Sequence, residues 1–173
     1  MKFTEYLMRI LTSLPYAFII FLLGGSILAP YLEHKRMEVS QVIYAILGNW
    51  CHQMPTRCFW IFGSPMGLCA RCFSFYSSLL ATGFFLLYKN TKKIFWKWGF
   101  LLLIPILIDG TCQLIGLWKS TNLIRAVTGL AGGIGIGLLV FPIYFRFIHF
   151  FEELRKARNI KRFTFFPSKL RQS

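Results

Sequence analysis

Long apolar blocks alternate with short polar segments along the chain, and this pattern predicts helices that cross a membrane. Four blocks fit a span of about 30 Å at about 1.5 Å per residue, although the second does so only if it begins near Cys69. They cover residues 14–32, 73–88, 99–118 and 126–145. Residues 39–50 are too few to cross and predict a short interfacial helix. The predicted fold is therefore an all-α integral membrane helical bundle of about four transmembrane helices plus this interfacial helix.

Composition supports membrane insertion and argues against nucleic acid as a partner. Of the 173 residues, 55% are hydrophobic and 15% are charged, whereas soluble domains have about 25% charged residues. The net charge of +14 comes from residues that flank the apolar blocks and crowd the C-terminal end. We therefore predict one membrane-embedded domain over residues 1–150 and a basic cytoplasmic tail over residues 151–173. The tail is expected to bind anionic lipid headgroups.

The distribution of positive residues predicts the orientation in the membrane. With four spans, 14 of the 20 Lys and Arg residues fall on the side that holds both termini. Since cytoplasmic loops carry the excess of Lys and Arg, both termini are predicted to be cytoplasmic. The segment 51–72 would then lie on the opposite face. Counting residues 39–50 as a crossing would change this assignment.

The segment 51–72 is the candidate site, because it contains four of the five cysteines. Thiolate and imidazole groups bind zinc and iron, and a structural zinc site uses four such ligands. We predict a zinc or iron site with three thiolates and with His52 as the fourth ligand or as a base beside the ligands. The proposed ligands are Cys51, His52, Cys69 and Cys72. Gln53, Arg57 and Arg71 complete the polar set, with the two arginines expected to bind an anionic group.

Two other interpretations of the cysteines remain open. Cys69-Ala-Arg-Cys72 stands at a predicted helix start, where the helix dipole and Arg71 would lower a thiol pKa and raise its reactivity. The protein would then be a membrane thiol-disulfide oxidoreductase that uses Cys69 and Cys72 with a quinone. Alternatively, the cysteines pack as small hydrophobic side chains, which is the interpretation we favour for Cys112.

Asp109 lies inside the third predicted span, where an ionisable group costs roughly 2.5–3.5 kcal/mol on insertion scales and is usually paired or functional. Gln113 shares its helical face, and Arg125 is the proposed partner, with Asn122 beside it. Asp109 would be the acid/base if the metal is catalytic, acting on a lipid-like or phosphorylated substrate. It would be the ion site if the protein is instead a small transporter. A purely structural bridge between the third and fourth spans is a further alternative.

A stripe of small residues marks the fourth predicted span. Gly129, Gly133 and Gly137 are spaced by four residues, a pattern that lets helices approach closely. We interpret the stripe as a packing surface. It is also compatible with a homodimer as a partner.

Two blocks of this sequence resemble a family of small prokaryotic membrane proteins that is catalogued as a domain of unknown function. The first block is Cys51-His52-Gln53-x-Pro55-x-Arg57, then Gly63, then Cys69-Ala-Arg71-Cys72 and Tyr76. The second is Asp109-Gly110-x-x-Gln113, then Ser120-x-Asn122-x-x-Arg125 and Gly129-x-x-Gly132.

The resemblance implies a location in a prokaryotic inner or plasma membrane and supplies no activity. The family pattern usually has serine where this chain has Cys58, and glycines where it has Ser74 and Ser78. The resemblance therefore implies that the family shares Cys51, His52, Cys69 and Cys72. Because Cys58 is not part of this set, the resemblance favours metal binding over thiol-disulfide exchange that involves a Cys51/Cys58 pair.

Overall fold

A computed structural model describes the backbone of residues 2–89, 91 and 93–164, and the side chains of residues 10–89, 91, 93–151, 153 and 154. The described chain forms five helices, one single turn of 3-10 helix at Pro55–Arg57, and a two-stranded hairpin. In chain order these elements are α1 (Lys2–His34), α2 (Val39–Gly48), β1 (Cys58–Ile61), β2 (Ser64–Cys69), α3 (Ala70–Tyr88), α4 (Trp96–Leu114) and α5 (Asn122–Thr164).

In the described part of the chain, four helices are long and apolar enough to cross a membrane, and the predicted helical membrane bundle is confirmed. The apolar spans are Ile10–His34, Ala70–Tyr88, Trp96–Leu114 and Asn122–Phe151. Helix α2 is the short apolar helix expected between the first two spans. Helix α5 continues without a break past residue 151, where the tail was predicted to begin. The end of that tail, residues 165–173, lies outside the described residues, and the orientation of the termini stays a prediction.

Helix α4 ends at Leu114, four residues before the predicted end of the third span, because a glycine stops it. Gly116 has a φ of +73°, which is the left-handed conformation that glycine adopts most readily. The Leu117 N–H donates to the Cys112 carbonyl at 3.0 Å and the Gly116 N–H donates to the Gln113 carbonyl at 3.3 Å. These two bonds form a Schellman motif, which closes the helix.

The hairpin was not predicted from the sequence. Its strands are antiparallel, with Ile61 opposite Ser64 and Cys58 opposite Cys69. The two-residue turn has positive φ values of 54° at Phe62 and 81° at Gly63, as a type I′ turn requires. The hairpin packs against α1 and α2, where Leu22, Leu47 and Leu68 are fully buried in one cluster with Cys51.

The glycine stripe brings α5 against α3, in agreement with the predicted packing role. A β-carbon at Gly129 would overlap the carbonyl oxygen of Arg71, and one at Gly137 would lie 2.9 Å from the β-carbon of Thr82. Close approach at Gly129 therefore fixes the first turn of α3 against α5. This turn carries Cys72 and is capped by Cys69.

Candidate metal centre and arginine cluster

Three thiols converge at the start of α3. The Sγ atoms of Cys51, Cys69 and Cys72 all lie within 4.8 Å of one another. Cys51 follows α2, Cys69 ends β2 and caps α3, and Cys72 lies in the first turn of α3. In a tetrahedral zinc site with Zn–S bonds of about 2.3 Å, sulfur atoms are about 3.8 Å apart. A small inward movement would therefore let one ion bind all three thiolates.

Backbone N–H groups donate to these sulfur atoms. The Cys69 N–H donates to Cys51 Sγ at 3.2 Å, and the Cys72 N–H donates to Cys69 Sγ at 3.5 Å. The backbone of Gln53, a residue with a positive φ of 48°, also lowers the pKa of Cys51. Hydrogen bonds from the thiols of Cys69 and Cys72, reinforced by these N–H groups, hold the pKa of Cys51 well below its usual range. Cys51 is therefore the thiolate of the group, which is the form that binds a metal.

Cys58 lies beside this group without joining it. It is 1% exposed and faces Cys69 across the hairpin, but its Sγ is not among the three clustered sulfur atoms. Burial, and then the negative charge of the clustered cysteines, raises the pKa of Cys58 to about 12. Cys58 is therefore held as a neutral thiol.

The structure does not bring His52 into the thiol cluster. His52 is exposed, and among the described residues the group of potential ligands contains sulfur atoms alone. Cys112, half-buried in α4, also lies outside the group. The three thiols therefore leave a fourth coordination position without a protein ligand from the described side chains.

Gln53 holds the loop that carries Cys51. Its Nε2 donates to the carbonyl oxygens of Tyr44 and Gly67, both at 2.9 Å. The Tyr44 hydroxyl in turn donates to the Pro65 carbonyl at 2.6 Å. These bonds tie α2 to β2, so Gln53 fixes the position of Cys51 relative to Cys69.

Asp109 pairs with Arg71 rather than with Arg125, the partner proposed from the sequence. Its carboxylate accepts from Arg71 Nη2, from Gln113 Nε2 at 3.1 Å and from Thr128 Oγ1 at 3.4 Å. Gln113 also donates to Ser120 Oγ. Thr128 and Ser120 were not among the predicted site residues. Thr128 lies one helical turn after Arg125. This spacing is the sequence signal that could have placed Thr128 on the face of α5 that borders the site.

Arg125 instead bonds to Asn122, which connects α5 to the hairpin. Its Nη1 donates to Asn122 Oδ1 at 2.8 Å, and Asn122 Nδ2 donates to the Cys58 carbonyl at 3.1 Å. Arg125 is 8% exposed. Arg57 directly precedes Cys58, whose carbonyl accepts from Asn122, and Arg71 pairs with Asp109, which also accepts from Thr128, one turn after Arg125. We call these three residues, Arg57, Arg71 and Arg125, the arginine cluster.

Four spanning helices with thiols and arginines gathered at one end define an integral membrane protein with a polar site at one membrane face. The chain belongs to the family described as "Predicted membrane protein (DUF2085)", whose model matches residues 51–139. The matched region runs from the first clustered cysteine through α3, α4 and the glycine stripe of α5.

Two archaeal relatives are similar over much of their length. An uncharacterised protein of Methanocaldococcus jannaschii is 39% identical over 145 residues, which cover 77% of this chain and 91% of the relative. An uncharacterised protein of Methanothermobacter thermautotrophicus is 36% identical over 92 residues, which cover 51% of this chain and 82% of the relative. No solved structure matches the chain.

Proposed function

We propose that the protein binds one zinc or iron ion at the membrane face through the thiolates of Cys51, Cys69 and Cys72. The observation that carries this proposal is the convergence of three sulfur atoms within 4.8 Å from segments separated by the whole hairpin. Thiolates are ligands that select zinc and iron in proteins. Packing of cysteines as small hydrophobic side chains does not require three Sγ atoms to converge or backbone N–H groups to donate to them.

The backbone groups around the three sulfur atoms are arranged as expected for groups that hold metal ligands in place. N–H donors stabilise negative charge on a ligand and fix its direction, as outer-shell partners do in metal sites generally. Gln53 keeps a left-handed backbone conformation although it is not glycine. Such backbone costs about 1–3 kcal/mol and persists where the surrounding contacts hold it in place.

Three protein ligands and one open position are typical of catalytic zinc sites, whereas structural sites are closed by a fourth ligand. We therefore propose that water or a substrate group completes the coordination. Asp109 is already bonded to Arg71, Gln113 and Thr128. In this proposal Asp109 orients Arg71. The acid/base role expected from the sequence would require Asp109 to break its bonds to these three partners.

One observation favours a second candidate, a thiol-disulfide oxidoreductase that passes electrons from Cys69 and Cys72 to a quinone. Cys69 is the N-cap of α3 and its Sγ accepts from the Cys72 N–H. A helix N-terminus favours a thiolate, whereas the hydrogen bond between Cys69 and Cys51 raises the pKa of Cys69.

Alkylation of the purified protein by a maleimide, read residue by residue by mass spectrometry, separates the two functions. Metal binding predicts that Cys69 and Cys72 react slowly until a chelator is added, and quickly afterwards. Cys112, which is also half-buried, is the internal control and should react equally with and without chelator. The redox function predicts the opposite pattern, in which a mild oxidant protects Cys69 and Cys72 and the chelator has no effect.

A further inference from the structure

We propose that the arginine cluster binds a phosphate group or a similar compact oxyanion at the same membrane face as the thiols. This inference goes beyond the metal site and does not depend on whether a metal is bound.

The first argument is an imbalance of charge. The three guanidinium groups carry three positive charges, whereas the described residues of the site supply two negative charges, from the Asp109 carboxylate that pairs with Arg71 and from the Cys51 thiolate. Arg125 is 8% exposed and its Nη1 bonds to the neutral amide of Asn122. A buried charge that lacks an opposite charge is costly. An anion beside Arg125 would remove that cost.

The second argument is the set of donors that have no acceptor. The Nε atoms of Arg71 and Arg125 are both buried and have no hydrogen-bond partner among the described residues. A guanidinium group presents five N–H donors in a planar fork that matches the oxygens of a phosphate or carboxylate. Arg71 and Arg125 thus each keep an unpaired Nε donor after their contacts with the protein are made.

The third argument is that two of the arginines are held in place before any ligand arrives. Asp109, itself held by Gln113 and Thr128, fixes Arg71 from α4. Asn122, bonded to the hairpin at the Cys58 carbonyl, fixes Arg125. Arg57 is exposed and would close on the anion from the water side. Such preorganisation lowers the entropic cost of binding.

The location limits what the anion can be. Helices α3 and α5 begin at Ala70 and Asn122, so both N-termini, which carry partial positive charge, lie at this end of the bundle. The cluster lies at the ends of the membrane spans, which is the depth of lipid headgroups. A phosphate group there has two sources, which are a phospholipid headgroup and a free phosphate compound from the water phase.

The test is a titration of the purified full-length protein in neutral detergent with two probes. One probe is inorganic phosphate, and the other is a short-chain phosphatidic acid with the matching uncharged diacylglycerol as its blank. Binding is followed by the change in tryptophan fluorescence and by the shift in thermal unfolding. Arg57→Gln removes an exposed side chain and is expected to fold, and Lys119→Gln removes an exposed charge outside the cluster.

We expect saturable binding that Arg57→Gln weakens by about tenfold, as for loss of a hydrogen bond to a charged group, and that Lys119→Gln leaves within twofold. Arg125→Lys keeps the charge and loses the fork, and is expected to weaken binding as well. Much tighter binding of phosphatidic acid identifies a lipid headgroup, and equal binding identifies a free phosphate compound.

The proposal is overturned if neither probe binds the wild type, or if Arg57→Gln and Lys119→Gln weaken binding equally. Absence of binding would show that the arginine cluster has a structural role and that water satisfies its free donors. Equal weakening by the two variants would show that phosphate binds through general surface charge. Cys69→Ser, which disrupts the proposed metal site, is expected to retain anion binding. The two proposals therefore fail separately.

Discussion

Replacing Gly129 with alanine is expected to push α5 away from the start of α3. The added β-carbon would overlap the carbonyl oxygen of Arg71 and lie 3.2 Å from both its carbonyl carbon and its Cα. All three atoms belong to the backbone of a helix, so none can rotate aside. Because ordinary contacts begin at 3.4 Å, the two helices must separate or shift along each other.

The expected cost is about 1–3 kcal/mol, which is typical of overpacking. For a chain of this size that cost lowers the thermal midpoint by about 2–12 °C. Thermal unfolding in detergent, followed by size-exclusion chromatography or tryptophan fluorescence, measures the shift. Gly24→Ala is the matched control, because a β-carbon at Gly24 has no atom within 4 Å. Equal midpoints for the two variants would refute the proposed close contact between α3 and α5.

Three further substitutions test the site. Cys58→Ser is expected to keep the metal content of the wild type, because its Sγ lies outside the clustered sulfur atoms; loss of metal would make Cys58 the fourth ligand. Gln53→Ala is expected to destabilise the protein by about 1–2 kcal/mol in thermal unfolding, since two carbonyls lose their donor; an unchanged midpoint would contradict the role assigned to it. Asp109→Asn is expected to cost about 2–3 kcal/mol, less than a fully buried broken pair, because Arg71 is 23% exposed. The double variant Arg71→Met/Asp109→Leu should recover part of that loss, and no recovery would mean that the pair is not coupled.

The membrane helices followed directly from the sequence, because apolar length is the physical requirement for crossing a bilayer. The predicted ends of these helices were less accurate than their predicted positions. The third span was predicted to reach Trp118, although Gly116 carried the signal for an earlier stop. Residues 115–118 are largely apolar, and hydropathy alone does not distinguish an apolar turn from the last turn of a helix.

The hairpin and the details of the site depend on tertiary contacts that spacing does not specify. Phe62-Gly63 is a weaker turn signal than Asn-Gly, so the strands on either side were not recognised. Arg125 was chosen as the partner of Asp109 because both were expected near the same face. Arg71 makes the contact instead, since Gly129 lets the first turn of α3 lie directly on α5.

The cysteine cluster was predicted in part. Proximity in sequence placed Cys69 and Cys72 together, and the polar segment around Cys51 marked it as the third member. Its position in the same polar segment also favoured His52 as a metal ligand. However, the side chains of adjacent residues leave the backbone in different directions. In the structure Cys51 is buried and His52 is exposed.

The most direct test of the metal-binding proposal is the ratio of metal to protein after gentle solubilisation without chelator. The measurement compares the wild type with Cys69→Ser and with Cys112→Ser, which removes a half-buried cysteine outside the cluster. We predict about one zinc or iron ion per chain in the wild type and in Cys112→Ser, and almost none in Cys69→Ser. Absence of metal from the wild type, or the same metal content in all three proteins, would contradict a thiolate metal centre.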